Sequence, residues 1–182
     1  MATAVDVANF FIEIFKDSED PLTKLRLIKF VYNAQGCSLA RSGEPLFDED
    51  LEAWKDGPVA PSVYRATINC GKAHICKIIG GPYSHSAFSK EQLTLLTDVS
   101  LKYGEYSTSK LWRLCHVPHG PWCKVYDEHK RNVKIPKESI RDYFSEYEPL
   151  EGFDIDKVLK NMKTVGYLDS EGYTVLPKDS DD

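Results

Sequence analysis

The stretch from Leu22 to Tyr64 constrains this chain more than any other. It holds an apolar helical pattern, a short connection, Trp54, and then the punctuation Gly57-Pro58-Val59-Ala60-Pro61. Thr23 offers a side-chain oxygen where a helix needs its N-cap, and Gly43 stands where that helix would end. Between them Leu25, Ile28, Tyr32 and Leu39 form one apolar stripe, which Leu27, Val31 and Ala34 widen. A helix apolar over so much of its circumference packs on several sides, so Thr23 to Ser42 is expected to be the central helix of the domain. Gly36 inside it costs up to ~1 kcal/mol against Ala, a cost that close approach by another backbone would justify. Pro58 and Pro61 fix two φ angles and delete two donors, which reads as a rigid turn. Pro61 also suits the first turn of a helix running through Ile68.

The flanking segments read as further helices. Val7, Phe10, Phe11, Ile14 and Phe15 recur at three- and four-residue spacings, which predicts a first helix over Asp6 to Asp17. Leu46 to Lys55 is ambiguous between a short strand and an extended loop, and Ile75 to Ile79 is a possible short strand. Ser89 with Gln92 makes a capping box for a helix ending near Gly104, with Leu93, Leu96, Val99, Leu101 and Tyr103 on its buried face. Ser107 to Cys115 is a shorter helix, ended by Pro118, Gly120 and Pro121, and Pro136 to Tyr147 is another. Beyond it, Asp154 can cap a helix through Val165. Tyr167 to Val175 then alternates around Asp169-Ser170-Glu171-Gly172 as a hairpin would. Lys178 to Asp182 reads as a frayed tail. The expected fold is mainly α: a compact helical domain with one or two small antiparallel strand pairs. The expected boundaries are 1–149 for the main domain and 150–182 for a helix-plus-hairpin extension.

At 182 residues the chain can bury roughly 70% of its unfolded surface, so it needs no metal or disulfide to fold. Its longest apolar runs fall far short of a membrane span, and no basic start leads into an apolar stretch, so no signal peptide is visible. Five irregularly spaced cysteines do not make a disulfide framework. Free thiols in a reducing cytoplasm are the simpler expectation. The net charge of −5 is uneven: from Asp142 onward eleven acids oppose four Lys/Arg, a balance of −7, which leaves +2 for the rest. The one basic stretch, Lys124 to Arg141, sets six Lys/Arg against three acids, a weak case for nucleic acid. The acidic end would suit a basic partner surface.

Three blocks resemble one family. LTKLRLIKFVYNAQG carries Leu22, Thr23, Lys29, Tyr32, Ala34, Gln35 and Gly36. GEPLFDEDLEAWKDGPVAPSVY carries Trp54, Gly57, Pro58, Pro61 and Tyr64. YGEYSTSKLWRLCHVPHGPW carries Tyr103, Gly104, His116, Pro121 and Trp122. In this order they resemble the Panacea domain, the SocA-like antitoxin family of prokaryotes and their phages, over roughly Val7 to Phe144. The chain departs from that pattern at Ile28, Cys37 and Asp56. The resemblance implies a non-enzymatic protein that neutralises a cognate toxin by binding it, with no cofactor, and it does not name the toxin. A phage or mobile-element protein that binds a host defence factor is the alternative, and a DNA-linked transcriptional regulator is a third. No separate helix-turn-helix module is expected from the residues before Val7.

The residues themselves offer several candidate sites. Arg26, Lys29 and Asn33 recur on one face of the central helix and could form a polar strip for partner contact. Alternatively Lys29 anchors the Trp54 to Gly57 turn through its carbonyls. Trp54 and Trp122 are either interface anchors or core, and Tyr32 and Tyr64 share that ambiguity. With Gly57, Pro58 and His116 they form the expected structural motif. Cys115, His116, His119 and Cys123 have the softness of zinc ligands, with Cys70, His74 and Cys76 as possible completions, but the spacing is not that of a standard finger. A Cys/His nucleophilic pair lacks a local signature, and Gly80-Gly81-Pro82 is not followed by the Lys-Ser/Thr of a phosphate loop. The extension could be a winged DNA-binding element, but Asp169 and Glu171 make its wing acidic, which opposes phosphate contact.

Overall fold

The computed structural model describes residues 2–148 and, beyond them, the short strands at 167–168 and 174–175. The chain divides into two compact units, Met1–Glu151 and Gly152–Asp182. The first is mainly helical.

Helix α1 (Ala4–Phe15) begins in a capping box between Thr3 and Asp6. Helix α2 (Lys24–Ser42) starts at Thr23, whose hydroxyl accepts from the Arg26 amide, and stops at Gly43, which turns left-handed at φ 75°. An L side chain rarely adopts that conformation, which is why a glycine closes the helix. All residues from Arg26 to Leu39 are buried, because α2 is packed by α1, α4 (Lys90–Tyr103), α5 (Thr108–Cys115) and α7 (Lys137–Tyr147). Phe11, Phe30, Phe47 and Phe144 are among the side chains fully buried around it. Each stabilises the fold by about 1.5–3 kcal/mol relative to exposure. Gly36 admits α7: a Cβ there would lie 2.3 Å from the Phe144 ring. The close neighbour is thus an aromatic side chain, not the backbone expected from the sequence.

Gly57-Pro58-Val59 is a strand rather than a turn. Strands β1 (Glu52–Trp54) and β2 (Gly57–Val59) form an antiparallel hairpin, with Ala53 opposite Pro58 and Trp54 opposite Gly57. The Ala53 amide points away from β2 and donates to the Val133 carbonyl oxygen (2.8 Å). Ala53 and Pro58 are therefore a non-hydrogen-bonded pair, and the missing donor of proline costs nothing at that place. Helix α3 (Pro61–Ala66) follows, and Glu49 accepts from its Ser62 amide (2.9 Å). Gln35 on α2 fixes the approach to the hairpin. It donates to the Phe47 carbonyl oxygen (2.9 Å) and accepts from the Leu46 amide (2.8 Å).

Two further expectations are corrected. Ile75–Ile79 is not a strand: the Ile75 amide donates to the Leu22 carbonyl oxygen (2.8 Å), and Asn9 pairs with Ile79 through both side-chain amide atoms, 2.9 Å each. Pro121 does not end a helix but opens α6 (Pro121–Val125), where its missing N–H is one that the first turn leaves unpaired anyway. The α4 capping box of Ser89 and Gln92 is present. Its buried face uses Leu95, Leu96, Val99 and Tyr103, while Leu101 is 54% exposed.

In the second unit, β3 (Tyr167–Leu168) and β4 (Thr174–Val175) pair antiparallel, with Tyr167 opposite Val175. The expected Asp154–Val165 helix and the terminal tail lie outside the described residues. Among the described residues no helix is long and apolar enough to cross a membrane.

Candidate functional site

The residues of the three blocks converge on the turn of the β1–β2 hairpin. Lys29 is 0% exposed and its Nζ donates to the Asp56 carbonyl oxygen. Burial lowers the Lys29 pKa from its ordinary value. The next residue, Gly57, has φ 104° and lies so close that a Cβ would come 2.4 Å from Lys29 Nζ and 3.0 Å from His116 Cε1. Conformation and space both call for glycine there. From the other side, Trp122 Nε1 donates to the Trp54 carbonyl oxygen (2.8 Å). The turn is thus held through the backbone carbonyls of Asp56 and Trp54 by a helix lysine and an indole, with the His116 ring close beside Gly57.

His116 and its neighbours form an aromatic column. Trp112 stacks on His116 with ring centres 3.7 Å apart, His116 lies 4.2 Å from Trp122, and Trp122 stacks on Tyr126 at 4.4 Å. His116 Nδ1 donates to the Trp112 carbonyl oxygen (2.6 Å). Burial lowers the His116 pKa, with that bond pulling the other way. Tyr32 is buried edge-on against Phe144, 5.4 Å between ring centres.

With anchoring of the Trp54–Gly57 turn by Lys29 as the alternative, Arg26, Lys29 and Asn33 could have formed an exposed polar strip for partner contact. They are 4%, 0% and 2% exposed, so that premise is not met. Each makes hydrogen bonds within the chain, although Arg26 Nε is buried without a partner among the described residues. Arg26 reaches the Gly104 carbonyl oxygen, and the Asp20 carboxylate at 2.6 Å. Asn33 donates to the Lys29 carbonyl oxygen (2.7 Å).

An open groove of about 530 Å³ lies alongside, between the start of α2, the hairpin turn and α3. Its apolar surface comes from Leu25, Ile28, Trp54, Val59 and Tyr64, and Lys24, Lys55 and Lys72 stand among them. Trp54 meets Tyr64 edge-on at 4.7 Å, and Lys24 Nζ sits 3.5 Å from the Tyr64 ring centre, a cation–π contact. A second hollow shares Leu25 and Thr108 with the groove and adds the exposed Trp112 and Arg113. The sequence pointed to Trp54 and Tyr64, but the three lysines escaped notice because they come from three separate segments.

The thiols lie elsewhere in character. Cys115 and Cys37 are buried, and burial pushes their pKa values up to about 11 and about 12, so both are held as thiols. Among the described residues no three of His, Cys, Asp and Glu converge as metal ligands would.

The family model described as antitoxin SocA-like, Panacea domain, matches residues 27–123, which include the whole hairpin and the residues that grip it. The antitoxin SocA of Caulobacter vibrioides is 31% identical in an alignment that covers 76% of this chain and 80% of that protein. No solved structure matches. Lys29, Trp54, Gly57, His116 and Trp122 meet at one turn inside the matched stretch, and the chain that carries them belongs to the SocA-like antitoxin, Panacea domain family.

Proposed function

We propose that this protein is an antitoxin that neutralises a toxin protein by binding it in equimolar amount, without turnover. The observation that carries the reading is the 31% identity to antitoxin SocA across most of both chains. The geometry agrees with it. Burial pushes the pKa values of the two core thiols up, and one open feature is an apolar groove rimmed by lysines, a surface suited to another protein. Tight pairs bury about 1,200–2,000 Å², so the groove would form one part of a larger contact.

Expression beside the product of the adjacent gene tests the proposal. The neighbouring product alone should arrest growth. With this chain present, growth should return and an equimolar complex should be recovered with its partner chemically intact. Rescue at trace amounts of this chain, or a covalently altered partner, would overturn the binding mechanism.

A further inference from the structure

We infer that the groove between α2, the β1–β2 turn and α3 is the docking surface for an acidic segment of the partner that carries aromatic or aliphatic anchors. This rests on the antitoxin reading and adds to it a place and a chemistry.

Charge is the first argument. The acidic excess lies from Asp142 onward, and the residues before it carry a net +2; within that part Lys24, Lys55 and Lys72 surround the groove and Asp56 is the one carboxylate among its lining residues. Some surface cations elsewhere are paired, Lys130 with Asp127 and Lys134 with Asp50, and Arg65 lies near Glu49; others, Lys77 and Lys90 among them, stand singly rather than gathered around a hollow. None of the three groove lysines has an ion-pair partner among the described residues. Three cations gathered around one hollow, with no carboxylate partner among the described residues, favour carboxylates arriving from outside, and such complementarity sets partner choice and association rate.

Shape and surface give the second argument. At about 530 Å³ the groove lies within the ~300–1,000 Å³ of sites that enclose a ligand. Its Trp54–Tyr64 edge-to-face pair offers a rigid aromatic wall, the type of residue that dominates binding energy when it becomes buried. The continuation past Leu25 adds Trp112 and Arg113 to the lining. Single-stranded nucleic acid is the competing occupant, since it also uses cations and aromatic faces. A phosphate backbone needs a continuous basic track, however, and here three lysines ring one apolar hollow.

The test uses the full chain and two labelled peptides of one length. In one, Trp and Leu alternate with Glu and Asp; in the other, Lys replaces every acid. A labelled single-stranded oligonucleotide is the third probe. The acidic peptide should bind, and binding should weaken as salt is raised. The variant K24E/K55E/K72E should lose about tenfold or more of that affinity, with its melting unchanged, whereas K77E/K90E, which is outside the groove, should bind as the native chain does. The same groove variant should fail to rescue growth against the neighbouring toxic product. Stronger binding of the basic peptide or the oligonucleotide would overturn the inference, as would concentration-dependent self-association abolished by the groove variant. If the groove variant still rescues growth and forms the complex, the docking site is wrong and the antitoxin reading stands. If the native chain neither rescues nor binds the neighbouring product, the antitoxin reading fails, and the peptide titration still decides the chemistry of the groove.

Discussion

Helix α2 carries two sets of basic residues with opposite fates. Lys29 and Arg26 are sealed inside, each ending on a backbone carbonyl far away in sequence, Asp56 and Gly104 respectively. Lys24, at the start of the same helix, lies at the groove over the face of Tyr64. Charge type does not separate them. The sealed set faces elements whose backbone would otherwise lack a donor, while Lys24 sits where the helix emerges beside an open hollow. A basic residue on a helix can therefore organise the interior or be available to a partner, and position relative to the hairpin decides which.

The contrast can be broken most forcefully at Lys29. Lys29→Glu would place a carboxylate against the Asp56 carbonyl oxygen. An uncompensated buried charge costs about 3–5 kcal/mol, a large share of a domain's ~5–15 kcal/mol. Urea unfolding should show a collapse in midpoint; a variant as stable as the native chain would mean that this side chain is at the surface. The turn it grips gives the next effect. Gly57→Ala meets both a left-handed φ and two close atoms, and about 2–4 kcal/mol should be lost. A loss within experimental error would show that the turn relaxes freely and is not held. At the groove the expectation reverses. Lys24→Gln removes an outer cation–π contact worth about 0.5–1 kcal/mol, so its thermal midpoint should shift little while acidic-peptide affinity falls. A large drop in stability would erase the distinction between the two sets.

A finer test uses pH. Burial holds the His116 pKa below its ordinary 6.5. Between 6.5 and the lower folded value the unfolded chain binds more protons, so stability falls as pH is lowered through that window and returns as pH rises. Asn can still donate toward the Trp112 carbonyl, so His116→Asn should reduce this slope when unfolding midpoints are compared between neutral pH and about pH 5. An unchanged slope would assign the acid sensitivity to other groups.

Local signals were legible in the sequence. Thr23, Ser89 and Ser107 cap their helices because a hydroxyl bonding an amide three residues on needs nothing beyond its own segment. The hairpin was half legible. Gly57 and Pro58 read as a turn because the sequence does not reveal that Ala53 directs its amide to Val133, which makes a strand proline tolerable. Pro121 read as a terminator although the same ring suits a first turn. For the polar stripe of Arg26, Lys29 and Asn33 the sequence left partner contact and anchoring of the turn both open, because its spacing is that of any amphipathic helix and the carbonyls that Lys29 and Arg26 reach lie 27 and 78 residues away. The groove lysines come from α2, the hairpin turn and the loop after α3, so only the tertiary fold makes them neighbours.

The Asn9–Ile79 contact has a consequence for exchange with solvent. The side-chain amide of Asn9 meets both the N–H and the C=O of Ile79, as a neighbouring strand's peptide group would. Ile79 belongs to no helix or strand, and amides in such segments usually trade hydrogen for deuterium quickly. Its proton should instead be slow, released only when α1 lifts away, so one amide signal in an irregular loop would report the seating of the first helix.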